Sequence, residues 1–156
     1  MQIYFAGPLF TPYERRFIEE CAAKIRAAGI DVWVPHEHAA EMTVDGKITA
    51  KSVFDKDFSG LYPSNAVVAL LDGPMVDDGT ACEIGMFYAF TRQDPQNKKG
   101  ILGLCTDSRA ARAKENYEGK GINLYVLGAI EEVGAVYDNV EDIIPVLQQW
   151  KKELEG

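Results

Sequence analysis

Histidine and positive charge are what this sequence has least of. Two histidines and 16 Lys+Arg stand against 24 Asp+Glu, a formal net charge of −8. A nucleic-acid polymer is excluded as a partner, because no basic cluster recovers counterion-release energy over such an acidic field. A small nucleoside or another neutral metabolite is not excluded. Long apolar runs are missing as well: no stretch approaches the ~18 residues of a membrane span, so no membrane partner is expected. The opening MQIYFAGPLF carries no basic segment, extended apolar core or cleavage site, which predicts no secretory signal and a cytoplasmic location. Cys21, Cys82 and Cys105 are odd in number, lack close pair spacing and sit in apolar surroundings; they read as reduced core thiols. There is no G-x-G-x-x-G, no phosphate-loop lysine and no G-x-S-x-G. His36 and His38, beside Glu37 and Glu41, match no zinc spacing, and no ordered series of oxygen ligands marks a calcium loop. Neither a metal nor a cofactor is expected.

What is present is an ordinary soluble composition, 47% apolar and 26% charged over 156 residues, which predicts one domain spanning 1–156. QIYFAG (2–7) reads as a strand ending in a tight Gly7-Pro8 turn. Thr11, Pro12 and Glu14 form a helix start with a capping box, and Gly29 ends that helix. IDVWVP (30–35) is a second strand, 36–47 a loop, and 49–61 a helix with Phe54, Phe58 and Leu61 on one side. NAVVALLD (65–72) is apolar almost throughout, as a strand covered on both faces should be. A helix follows over about 80–91, then the strand GILGLC (100–105) and a polar, mobile excursion over 106–121. INLYVLG (122–128) has strand propensity but also permits a short helix, and GAVYD is a brief last strand. The closing helix carries Pro145, which places its regular start near residue 142. Strands alternating with helices predict a three-layer α/β sandwich with a mostly parallel sheet. Ligands in such folds bind beyond the carboxyl ends of the strands, here near Gly7, the 72–79 turn and Thr106.

Carboxylates stand out on that rim. Glu83 shares a helix face with Phe87 and Phe90, where an unpaired charge is costly. It either lines a pocket or caps its own helix. Asp57 joins the stripe of Phe54 and Leu61 and is open in the same way, as a site residue or an acid at the core's edge. Of the two acids ahead of the third helix, Asp78 fits the capping position, leaving Asp77 less needed for structure. Gly7 and Gly79 allow a ligand close to the backbone, and Tyr4 lies late in the first strand as either a rim or a core tyrosine. Paired carboxylates around a crevice point to glycosyl chemistry, with one as nucleophile and one handling the leaving group's proton.

Four segments, IYFAGPLF, DKDFSGLYPSNAVVALLDG, DDGTACEIGMFYA and GINL, together resemble the nucleoside 2-deoxyribosyltransferase family. The resemblance implies a flavodoxin-like fold and transfer of 2-deoxyribose between nucleobases through a covalent glutamyl intermediate, with retention. Hydrolysis of the same N-glycosidic bond and non-catalytic nucleoside binding are the alternatives. Glu83 matches the family's nucleophile, Asp57 the aspartate near the base, and Tyr4 the tyrosine that tunes the nucleophile. Asp77 matches an acid near the sugar's 5'-hydroxyl, and Asn123 an asparagine contributed by a neighbouring subunit. The resemblance therefore implies deoxynucleosides and free bases as partners and a homo-oligomer, at least a dimer. It also turns the segment after Asn123 into a helix. Related hydrolases of 5'-monophosphates carry a serine where this chain has Asp77, so a free nucleoside is the expected substrate.

Overall fold

Five short apolar segments pair in parallel to build one sheet, with strand order β2-β1-β5-β6-β7. The strands are β1 (Gln2–Ala6), β2 (Asp31–Trp33), β5 (Ala66–Leu70), β6 (Gly100–Leu104) and β7 (Ala135–Tyr137). This is a computed structural model, and it describes residues 1–108 and 121–156. Most of the excursion expected over 106–121 lies outside the described residues.

Alternation along the strands sorts side chains into two layers. Ile3 and Phe5 of β1 point to one face, where they meet Ile18, Cys21 and Ile25 of α1 (Pro12–Ala27) and Ile143 and Leu147 of the closing helix. Tyr4 and Ala6 point to the other, against Leu61 of α2 (Ala50–Leu61), Ile84 and Phe87 of α3 (Asp78–Gln93), and Leu127 and Ile130 of α4 (Leu124–Val133). β5 is buried over its whole length, as a strand between two helical layers must be. The three-layer, mostly parallel α/β fold is the one the element pattern predicted. No described helix is long and apolar enough to cross a membrane.

Local signals explain most of the element ends. Thr11 accepts from the Glu14 amide at 3.2 Å while its own amide donates to the Glu14 carboxylate at 2.7 Å, the capping box expected for α1. α4 follows Asn123, whose Oδ1 accepts from the Tyr125 amide at 2.9 Å, so the helix and not the strand propensity prevails there.

Two expectations need correction. The segment 36–47 is not a plain loop: a 3-10 helix over Pro35–Met42 leads into a hairpin of β3 (Thr43–Val44) and β4 (Lys47–Ile48). Asp45 and Gly46, at φ of 51° and 72°, form the left-handed turn that an Asp-Gly pair favours. The closing helix, α5 (Val140–Glu155), starts at Val140 and not near 142, because Asn139 Oδ1 accepts from the Asp142 amide at 2.8 Å and Pro145 is accommodated inside it.

Candidate active site

The strand alternation that places Tyr4 on the α2/α3/α4 side also buries it fully. Its hydroxyl donates to Oε1 of Glu83, which lies one turn into α3. Asp57, from the facing stripe of α2, joins them. A cleft of about 400 Å³ opens between the two helices, lined by Phe54, Asp57, Phe58, Gly79, Cys82, Glu83 and Met86 among others. Apart from the two carboxylates and the Cys82 thiol, its described side chains are apolar.

The apolar lining fixes the electrostatics. Burial pushes Glu83 up to about 8, with the negative charges of Asp57 and Asp77 adding to the rise while the Tyr4 hydrogen bond opposes it. Burial alone raises Asp57 to about 6. Among the described residues, Asp57 Oδ1 is buried without a hydrogen-bond partner. Such an orphan atom is costly in a folded chain unless something binds there. The Tyr4 phenol is pushed far upward by burial and then by Glu83, so it stays a neutral donor. At neutral pH burial therefore favours a proton on Glu83 over one on Asp57.

The remaining predicted residues fall into place less uniformly. Gly79 lines the cleft at the start of α3. The capping assignment is reversed: Asp77, not Asp78, caps α3, accepting from the Thr80 amide at 2.9 Å and the Thr80 hydroxyl at 3.1 Å. Its backbone is still extended, at φ −56° and ψ 139°, whereas Asp78 is already helical and binds the adjacent Gly79 amide at 2.8 Å. Asp77 remains close enough to Glu83 to raise its pKa. Gly7 does not line the cleft; a Cβ there would come within 2.9 Å of Ile18 and 3.0 Å of Leu70, so close packing on α1 and β5 accounts for the glycine. Asn123 is exposed at the start of α4, which it caps, and lies outside the cleft lining.

Sequence reasoning missed part of the lining. Cys21 and Cys105 are buried as expected, but Cys82 is exposed, on the cleft side of α3 beside Glu83. Phe54, which is 54% exposed, is a rim residue and not core; the signal was its place three positions before Asp57 on one stripe. Asp72, Cys105 and Asp107 bring possible metal ligands within 4.8 Å of one another. Hydrogen bonding accounts for these carboxylates: Asp72 accepts from the Thr106 amide at 2.6 Å and Asp107 from the Gly73 amide at 3.0 Å, which staples the loops after β5 and β6.

Comparison with known proteins agrees with this fold. The family model described as nucleoside 2-deoxyribosyltransferase matches residues 3–143. A conserved protein from Enterococcus faecalis V583 has a similar structure, with a TM-score of 0.77 and 31% identity, over 96% of this chain and 98% of that one. The 2-deoxyribosyltransferase of Bacillus psychrosaccharolyticus shares the fold at a TM-score of 0.66 and 17% identity, over 92% and 90% of the two chains. The CMP N-glycosidase of Clostridium botulinum does so at 0.57 and 17%, over 96% and 99%. No functionally curated protein gives a significant match. With the motif order, the parallel sheet and the family match in agreement, the chain belongs to the nucleoside 2-deoxyribosyltransferase family.

Proposed function

We propose that the protein transfers 2-deoxyribose from one nucleobase to another through an ester on Glu83. A Glu83 oxygen bonds to C1' of the deoxynucleoside as the glycosidic bond breaks. The bonding pair leaves with the base, whose nitrogen takes a proton with the help of Asp57. The incoming base then attacks C1' from the face the first one left, returning a proton to Asp57 and freeing Glu83, so configuration is retained. The observation that carries this reading is the Tyr4 hydroxyl bound to Glu83 in a cleft that also holds the orphaned Asp57 oxygen.

Each group has a physical task. Tyr4 donates to one oxygen of Glu83, which favours the carboxylate and fixes its rotamer while the other oxygen attacks. Asp57, raised to about 6, gives up a proton near neutral pH far more readily than water does. The missing 2'-hydroxyl eases the approach to an oxocarbenium-like state, so a positioned anion suffices. Asp77 and Gly79 meet the sugar's 5' end, with Asn123 of a neighbouring copy in a homo-oligomer. Incubation with one deoxynucleoside, with and without a second free base, tests the reading. Exchanged nucleoside is expected, and failure to produce it under any acceptor condition refutes transfer.

Hydrolysis is the second reading, favoured by the exposure of the cleft rim at Phe54. Water that reaches the ester before a base releases deoxyribose by the same steps, and the same incubation detects it.

The acid at position 77 opposes a phosphate dianion at the sugar's 5' end. Asp77→Ser keeps a capping side chain for α3 but removes the charge. The ratio of kcat/KM for a deoxynucleoside 5'-monophosphate to that for the nucleoside is expected to rise about tenfold or more. An unchanged ratio counts against the nucleoside preference.

A further inference from the structure

The reading of Glu83 as nucleophile leaves open what keeps the Tyr4 ring, and so its hydroxyl, in place. Tyr4 and Trp33 are register partners on β1 and β2, so their side chains leave the sheet on one face. Their rings stack with centroids 5.2 Å apart and planes 13° apart. The His38 imidazole also stacks on Trp33, 4.6 Å away and within 7° of parallel. His38 Nδ1 is 2.8 Å from Glu41, which is also paired with Lys56 of α2. The third side of the indole is the α2 backbone itself. A Cβ on Gly60 would lie 2.2 Å from the indole Cδ2, so the helix rests directly on the ring, three residues after Asp57.

We infer that Trp33 is a positioning residue for the reaction: it blocks the swing of the Tyr4 ring about its first side-chain torsion, so that the hydroxyl stays on Glu83. This inference rests on the proposed role of Glu83. A tyrosine ring swinging about its first side-chain torsion would sweep its hydroxyl off a carboxylate. A flat partner on one face removes that freedom, which an aliphatic residue of similar bulk does not. Glycine at position 60 has the same explanation, since any side chain there displaces the indole. Trp33 is not among the residues that line the cleft; it acts through Tyr4.

The consequence is a shift in the protonation of Glu83. The groups facing that carboxyl are the Tyr4 hydroxyl from β1, Asp57 from α2 and Asp77 at the start of α3. Of these the Tyr4 hydroxyl is the one that favours the anion, so loosening it raises the Glu83 midpoint. The test is a titration of the Glu83 carboxyl by NMR in protein labelled with 13C at the glutamate side-chain carboxyl, the signal being assigned by its loss in Glu83→Gln. Trp33→Leu is expected to raise the midpoint by about one pH unit and to lower kcat with little change in KM. Trp33→Phe, which keeps a flat partner, is expected to restore both. In a Tyr4→Phe background Trp33→Leu is expected to add no further shift.

An unchanged midpoint in folded Trp33→Leu overturns the inference, as does an equal shift with Tyr4→Phe already in place. Where Trp33→Leu does not fold, Gly60→Ala displaces the ring by another route and is expected to shift the midpoint upward too; no shift there is equally decisive. The titration needs no turnover. An active Glu83→Gln variant would refute the nucleophile, while a fixed midpoint would refute Trp33, and the two failures are separate results.

Discussion

Glu83→Gln is expected to lower base exchange by at least about 10³-fold in kcat/KM while making the folded chain more stable. Glutamine still accepts a hydrogen bond from Tyr4 but is too weak a nucleophile to form the sugar ester. Glu83→Ala should be as inactive and still folded. The gain in stability follows from burial. Glu83 titrates near 4.5 when solvated and at about 8 in the folded chain. Between those values the folded chain holds a proton that the unfolded chain has released, so stability falls as pH rises through that window. Above pH 8 the full cost of a buried anion is present; below about 4.5 the carboxyl is neutral in both states and the cost vanishes. The glutamine variant should therefore gain on the order of 3 kcal/mol at pH 8.5 or above and almost nothing at pH 4. Urea unfolding at the two pH values measures this. A gain that is equal at both, or larger in acid, contradicts the burial of a titrating carboxyl.

The second large effect concerns pH and Asp57. Attack needs Glu83 without its proton, while departure of the base needs a proton at Asp57. The pair supplies both only in the singly protonated state and in its minority form, with the proton on Asp57 rather than Glu83, and burial sets the bounds of that state at about 6 and about 8. A bell-shaped profile of kcat/KM follows, falling in acid as both groups fill and in alkali as both empty. Asp57→Asn leaves one titrating acid. Its rate should drop by about 10²–10³-fold, the alkaline fall should disappear, and the acid limb should move up from about 6 toward the midpoint of Glu83 alone, which loss of the neighbouring negative charge leaves below 8. A mutant profile that keeps its alkaline limb would assign that limb to another group.

The two acids were legible in the sequence because each violates the pattern of its helix. A carboxylate on an apolar stripe beside phenylalanines is a local contradiction, and such contradictions tend to mark function. Their proton affinities were not legible. A nucleophile must be an anion when it attacks, whereas burial between two helices and beside two other acids pushes Glu83 to about 8. That burial comes from β1, α2 and α3 converging, which no local spacing encodes.

Capping shows a finer limit. Asp77 and Asp78 are equally able acceptors one residue apart, and the choice between them lies in the backbone angles at Asp77. The hairpin at 43–48 escaped notice because its two-residue strands are too short to show alternation, although Asp45-Gly46 carries the turn signal. In α4, an asparagine cap outweighed the strand propensity of Leu124, Tyr125 and Val126. The column of His38, Trp33 and Tyr4 joins a 3-10 helix to two strands, and only the folded chain brings those rings together.

Every step of the mechanism runs through one bond, between a Glu83 oxygen and the anomeric carbon. Mass spectrometry of protein quenched in acid during turnover of a deoxynucleoside, followed by peptide mapping, looks for it directly. One deoxyribosyl group on Glu83, lost when a second base is added before the quench, is the predicted result. Product formed with the added mass on another residue, or by a Glu83→Gln protein at the full rate, would contradict it.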